Sequence, residues 1–423
     1  MKLNYKNTVL IGFAFFSICA FWQLYDSLIP LMLKNAFSLG DTVSGLIMAS
    51  DNILALFLLP FFGTLSDRTH TRIGRRMPFI LGGTLVAAAA MLLLPMAESM
   101  RHFGFFTAAL FLTLTAMGTY RSPAVALMPD ITPKPLRSRA NAVINLMGAI
   151  GGIVSLLLIR LFLKSGSSSE HALLFGTVAA VMLISAAILF FTVNENKLAE
   201  ALSDKEPDQA ESIGKASSDK DDKLPPAVKK SLFFLLSSVA LWYMAYNAVT
   251  TAFSKYAQSY LGLADGSFAD PLMIAMATAI VTYIPAGALA SRFGRKKCIL
   301  AGVLLMILPF SAMIFVRTYS NILIPFFLLV GIGWAIINVN SYPMAVELAS
   351  GNKTGKYTGY YYTFSMAAQI ITPVLSGFFL EHVGYHTLFP YAALFMALAF
   401  CTMLFVKHGD NREIPAPADQ TET

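Results

Sequence analysis

Charge is scarce in this sequence. Of its 423 residues, 13% are Asp, Glu, Lys or Arg, against ~25% in ordinary soluble domains. A chain so poor in charge has little with which to coat a water-facing surface, and 56% of it is hydrophobic. Cysteine is also sparse: Cys19, Cys298 and Cys401 lie far apart, each inside an apolar run. Neither a disulfide framework nor a metal-ligand spacing follows from them. No HExxH, GxSxG or phosphate-loop pattern occurs, and the six histidines fall in loops or near the ends of apolar runs. Nothing therefore points to an enzyme, a resident cofactor or a metal centre.

What the chain has is apolar length. Twelve runs are each long enough to cross ~30 Å of hydrocarbon at 1.5 Å per residue: 9–33, 42–64, 79–97, 103–128, 140–163, 172–193, 231–259, 271–290, 298–316, 321–346, 358–380 and 386–406. The first follows Lys2 and Lys6 and exceeds a signal-peptide core, so it reads as a retained span. Lys and Arg set the orientation. With both termini cytoplasmic, the outer loops carry only Lys34, Arg101, Lys164 and Arg317, and the spans carry Arg121, Arg160 and Lys255. The other basic residues lie on the inner side, as the positive-inside rule requires. The formal charge of +7 is thus a topology signal and calls for no nucleic acid. The expectation is an all-α, multi-pass protein of the cell membrane, monomeric, with the lipid bilayer as its surroundings.

Residues 194–230 interrupt the pattern. They are charged, Ser/Ala-rich and nearly free of large apolar side chains, and read as a cytoplasmic linker. Six spans precede it (1–193) and six follow (231–408), with a cytoplasmic tail at 409–423. The halves repeat one another. "GTLSDRTHTRIGRR" (63–76) and "GALASRFGRKK" (287–297) follow the second span of each half, and Arg72-Ile-Gly74-Arg75-Arg76 aligns with Arg292-Phe-Gly294-Arg295-Lys296. Gly63 and Gly287 then also correspond. Two pseudo-symmetric six-helix bundles make a transporter architecture, with the site between them near the bilayer midplane.

These loops resemble the signature loop of the major facilitator superfamily, through Gly63, Leu65, Asp67, Arg68, Gly74, Arg75 and Arg76 and the second copy. "SDRTHTRIGRRMPFI", "YRSPAVALMPDITPKPLRSRANA" (120–142), "GIGWAIINVNSYPM" (331–344) and "GYYYTFSMAAQIITPVLSG" (359–377) are similar to sucrose–proton symporters and the wider glycoside-pentoside-hexuronide cation symporters. The resemblance implies that Gly63, Asp67, Arg68, Arg72, Gly74, Arg75, Arg76, Gly287, Arg292, Gly294 and Arg295 form a conformational latch that pins the halves together in the outward-open state. Asp67 can accept from arginines or cap a neighbouring helix; topology-holding arginines are the alternative. Asp130 and Glu347, each followed by a basic loop, read as an inner gate or as solvated span ends.

Charges inside the spans are the sharpest functional signal. Asp26 and Asp51 lie on consecutive antiparallel helices at matching depth, roughly 10–14 Å below the outer surface at 1.5 Å per residue. That arrangement suits a cation or proton site; a buried, hydrogen-bonded structural role is the alternative. Arg121 on the fourth span, worth at least ~2.5 kcal/mol of insertion cost, is near enough to engage either acid or a bound solute. The sucrose-carrier pattern has an arginine here too, tied to sugar and proton coupling. Snorkelling competes for Arg121, and more strongly for Lys255. Polar groups within apolar spans (Asn247, Asn340, Gln369) and the aromatic Tyr25 complete the substrate candidates. The reading is a secondary active transporter: symport of a sugar or glycoside with a proton or sodium ion by alternating access. An exporter of another small solute is the alternative. A membrane sensor is a poorer fit, since sensors commonly carry a large soluble domain.

Overall fold

Twelve helices long and apolar enough to cross a membrane run through the described residues. They are α1 (Tyr5–Asn35), α2 (Asp41–Arg68), α3 (Met77–Met91) continuing as α4 (Leu93–Ser99), α5 (Phe103–Asp130), α6 (Arg137–Phe162), α7 (Ser168–Thr192), α9 (Pro226–Ser259), α10 (Ala269–Phe293), α11 (Arg295–Met313), α12 (Ile324–Glu347), α13 (Thr354–His382) and α14 (Leu388–Leu404). A short α8 (Glu195–Ser203) lies between α7 and α9. The computed structural model describes residues 4–133, 136–203, 225–263, 265–347 and 354–408. The side chains of Glu347, Arg137, Arg139 and Lys356, the residues Lys134 and Lys353, most of the linker and the 409–423 tail lie outside the described residues.

Composition explains the helices. Each span is a long apolar run whose backbone groups must be satisfied within the segment. Prolines stand at the first turn of α3 and α9, where no donor is lost. Others sit inside α1, α2, α5, α10, α11, α12 and α13, which membrane helices tolerate because neighbours re-satisfy the freed carbonyls. Phe191 and Ile284 are each 82% exposed. Large apolar side chains so bare are stable against lipid and not against water.

The repeat seen in the loops extends to the packing. In the first half α1 packs on α6 and α7, α5 on α2 and α3, and α3 on α7. In the second, α9 packs on α13 and α14, α12 on α10 and α11, and α11 on α14. Each pair is the other shifted by six spans. The halves meet along α2–α13, α6–α10 and α1–α9, and the first two seams are exchanged by the same operation.

The hydrogen bonds and ion pairs that join the halves between described residues all sit at the end away from the termini. Lys255 Nζ donates to Asp41 Oδ1 at 2.5 Å, and the Tyr385 hydroxyl donates to Asp41 Oδ2 at 2.8 Å. Lys34 Nζ reaches Tyr385 Oη (2.8 Å) and Ser259 Oγ (2.6 Å). The Thr42 amide donates to Glu381 Oε2 at 2.8 Å. On the other seam, Arg160 Nε donates to Asp270 at 2.9–3.0 Å, and the Gly266 amide to the Leu163 carbonyl at 3.0 Å. The backbones of α2 and α13 nearly touch. A Cβ added at Gly45 would strike the Pro373 carbonyl, and one at Gly377 the Asp41 carbonyl. Only glycine allows this approach.

Candidate functional site

Two adjoining cavities lie between the halves. The smaller, about 130 Å³, is lined by Trp22 and Asp26 of α1, Met48, Asp51 and Asn52 of α2, Arg121 of α5, Asn247 and Thr251 of α9, and Gln369 and Pro373 of α13. Five helices thus bring two carboxylates, a guanidinium and three amides to one chamber. The larger, about 460 Å³, shares Trp22, Asp26, Asn247 and Gln369 with it. Its remaining wall is mostly aromatic and aliphatic, including Tyr243, Tyr246, Tyr283, Phe310 and Trp334.

The charged groups do not neutralise one another by direct contact. Among the described residues no ion pair within 4.0 Å joins Arg121 to either acid. Arg121 instead lies over the Trp22 ring, 5.4 Å from its centroid, a cation–π arrangement. The Asp51 carboxylate accepts from the Asn52 backbone amide (2.6 Å) and side-chain amide (2.7 Å). Two buried polar atoms on the shared wall, Trp22 Nε1 and Asn247 Oδ1, have no hydrogen-bond partner. Buried groups are rarely left so. In the wall of the larger cavity, Tyr246 and Trp334 stack face to face at 3.6 Å and 3°.

Of the substrate candidates taken from the sequence, Asp26, Asp51, Arg121, Asn247 and Gln369 meet in the smaller cavity. Three others lie elsewhere. Tyr25 is 2% exposed, packed with Phe21 and Trp22, and its hydroxyl donates to the Met48 carbonyl. Asn340 is buried and donates to the Ile336 carbonyl one turn back. Lys255 is spent on Asp41 at the far end. Sequence reasoning missed Gln23, Asn145, Tyr243, Tyr283 and Trp334 in the wall. Gln23 and Asn145 carry the signal used for Asn247, an amide inside an apolar run, whereas helix rotation alone separates Tyr243, Tyr283 and Trp334 from the many aromatics facing lipid.

At the termini end, the signature loop bonds within its own half. Arg76 Nε donates to Asp130 Oδ2 (2.8 Å), its terminal nitrogens reach Ser66 Oγ (2.5 Å), the Gly63 carbonyl (3.3 Å) and Asp67, and Arg75 pairs with Asp130 at 3.0 Å. Asp130 therefore pairs with the preceding loop. Burial opposes the charge on Arg76, but the bonds to Asp130 and Asp67 more than offset it and hold the guanidinium above its ordinary pKa. Arg68 and Arg72 are exposed, as is Arg292. Gly74 has φ +117°, a left-handed value that favours glycine.

Known proteins share these features. The sequence pattern of the Major Facilitator Superfamily matches residues 11–282 and 271–423. The chain is 30% identical to the sucrose transport protein SUC3 of Arabidopsis thaliana over 152 residues, covering 31% of this chain and 25% of that protein. It is 23% identical to the isoprimeverose transporter of Lactiplantibacillus pentosus over 300 residues, covering 68% and 59%. The chain thus spans less than two thirds of either relative. Among solved structures, a peptide transporter of the POT type superposes with TM-score 0.71 at 12% identity, over 95% of this chain and 93% of that one. The nucleoside transporter NupG does so with TM-score 0.69 at 15% identity, over 96% and 100%. The fold, the duplicated loops and the matched pattern agree: the chain belongs to the major facilitator superfamily, whose members are secondary transporters and not enzymes.

Proposed function

We propose that the protein is a cation-coupled symporter of a sugar or glycoside. The observation that carries this reading is the meeting of Asp26, Asp51 and Arg121 in one cavity with Asn52, Asn247, Gln369 and an unsatisfied Trp22 Nε1. In the proposed cycle the coupling cation, a proton or sodium ion, neutralises Asp26, Asp51 or both. Arg121 is then free to donate to the solute's hydroxyls, and the Tyr246–Trp334 stack offers an apolar face for its ring. Loaded, the halves rock about the cavity. The similarity to a sucrose and an isoprimeverose transporter supports a glycosidic solute.

With both termini in the cytoplasm, as the Lys and Arg distribution favours, the bonds at the far end make this the state closed to the outside. Asp41, Lys255, Tyr385, Lys34, Glu381, Arg160 and Asp270 are then the outer gate. The signature loop stays within its half in this state and meets the second half when the cytoplasmic end closes.

The test is counterflow of radiolabelled sugars in vesicles, followed by sugar-dependent proton or sodium uptake. Saturable counterflow with cation uptake supports the reading. No counterflow with any sugar, together with outward movement of an unrelated solute, overturns it in favour of a small-solute exporter, the second reading, which the apolar wall of the larger cavity favours.

A further inference from the structure

The helix that opens the linker is built into the signature loop. Glu195, the first residue of α8, is 3% exposed. Its Oε1 accepts the backbone amides of Arg75 (2.9 Å) and Arg76 (3.0 Å), and its Oε2 those of Arg76 (3.1 Å) and Met77 (3.0 Å). Asn196 Nδ2 donates to the Thr71 and Arg72 carbonyls at 3.2 and 3.1 Å. A side chain at Gly74 would collide with the Glu195 carboxylate, so the glycine is needed for the contact as well as for its φ.

Arg76 is thereby held twice. Glu195 fixes its backbone, and its guanidinium ties Asp67, Ser66 and Gly63 of α2 to Asp130 of α5. α5 also carries Arg121, and α2 carries Asp51 and forms the α2–α13 seam. One acidic side chain from the linker thus sets the arginine that couples the two helices bearing the charged cavity.

We infer that Glu195 is a positioning residue for the transport cycle: it presets Arg75 and Arg76 so that α2 and α5 move as one body and offer the second half a formed surface when the termini end closes. The inference rests on family membership and the contacts above, and holds whichever solute is carried.

The experiment needs no substrate. Cys19 lines the larger cavity and becomes the sole cysteine after Cys298→Ala and Cys401→Ser. A membrane-impermeant maleimide is applied to vesicles from either side. In the Glu195→Ala variant, labelling from the far side should fall at least about fivefold, the lower end of usual coupling between sites, with labelling from the termini side retained. Glu195→Gln, keeping one acceptor oxygen, should fall less. In an Asp130→Asn background, Glu195→Ala should add little, because both act through Arg75 and Arg76. Native labelling from both sides by a folded Glu195→Ala variant overturns the inference and leaves a plain helix cap. So does full additivity with Asp130→Asn. Should Glu195→Ala fail to insert, Glu195→Gln is read alone: a smaller fall on the far side supports the inference and native labelling overturns it.

Discussion

Lys255 Nζ and Asp41 Oδ1 stand 2.5 Å apart, both side chains buried, one at the end of α9 and the other at the start of α2. The pair joins α9 of one half to α2 of the other, with side-chain exposures of 5% and 9%. A second acceptor bond from Tyr385 completes the Asp41 carboxylate.

Removing one partner leaves the other buried without compensation, a loss of about 3–5 kcal/mol borne only by the state closed at this end. Asp41→Asn or Lys255→Gln should therefore populate the opposite state. Maleimide labelling of Cys19 from the far side is expected to rise by at least tenfold. The double variant, with no orphan charge, should rise less. Equal labelling in both single variants and the parent would show that the pair does not hold the gate.

The α2–α13 approach gives a steric version of the same experiment. Gly45→Leu or Gly377→Val puts atoms where the Pro373 and Asp41 carbonyls stand. Overpacking costs about 1–3 kcal/mol, and here it falls on the closed state alone. Transport should drop with membrane expression retained, and far-side labelling should increase.

Arg121 and the two acids are expected to separate by assay. Arg121→Ala should abolish counterflow, losing about tenfold to 100-fold for each charged hydrogen bond removed. Asp26→Asn or Asp51→Asn should preserve counterflow while ending cation-driven accumulation. If both Asp26→Asn and Arg121→Ala accumulate solute as the parent does, the coupling scheme fails.

The coupling cation has a signature in pH. If a proton occupies the carboxylates as the solute binds, initial uptake rises as the outer pH falls and a protonophore abolishes accumulation. With sodium, accumulation survives the protonophore and follows the sodium gradient. Uptake in sodium-free medium at several pH values decides between them.

The sequence displayed the spans well because length and apolarity are one-dimensional: every predicted run overlaps one of the twelve spans, a few overrunning its end. Depth was legible too: the sequence sets Asp26 and Asp51 at matching depth, with Arg121 at a different depth but within reach of them. Rotation about the helix axis was not. Hence Tyr25 and Asn340 turn into packing, while Trp334 and Tyr283, unmarked among 12% aromatic residues, face the cavity. Cross-half pairing was equally hidden, since nothing local links Lys255 to Asp41. Glu195 read as the start of a charged linker, because its partners are backbone amides, which no side-chain pattern records.

The two ion pairs that join the halves differ in their contact with solvent. Asp41–Lys255 is buried, whereas Arg160 and Asp270 keep side-chain exposures of 46% and 41%. Screening by salt weakens exposed pairs and spares buried ones. Raising ionic strength on the far side would therefore loosen α6 from α10 while α2 stays fastened to α9, so a device symmetric in its helices opens along one preferred edge.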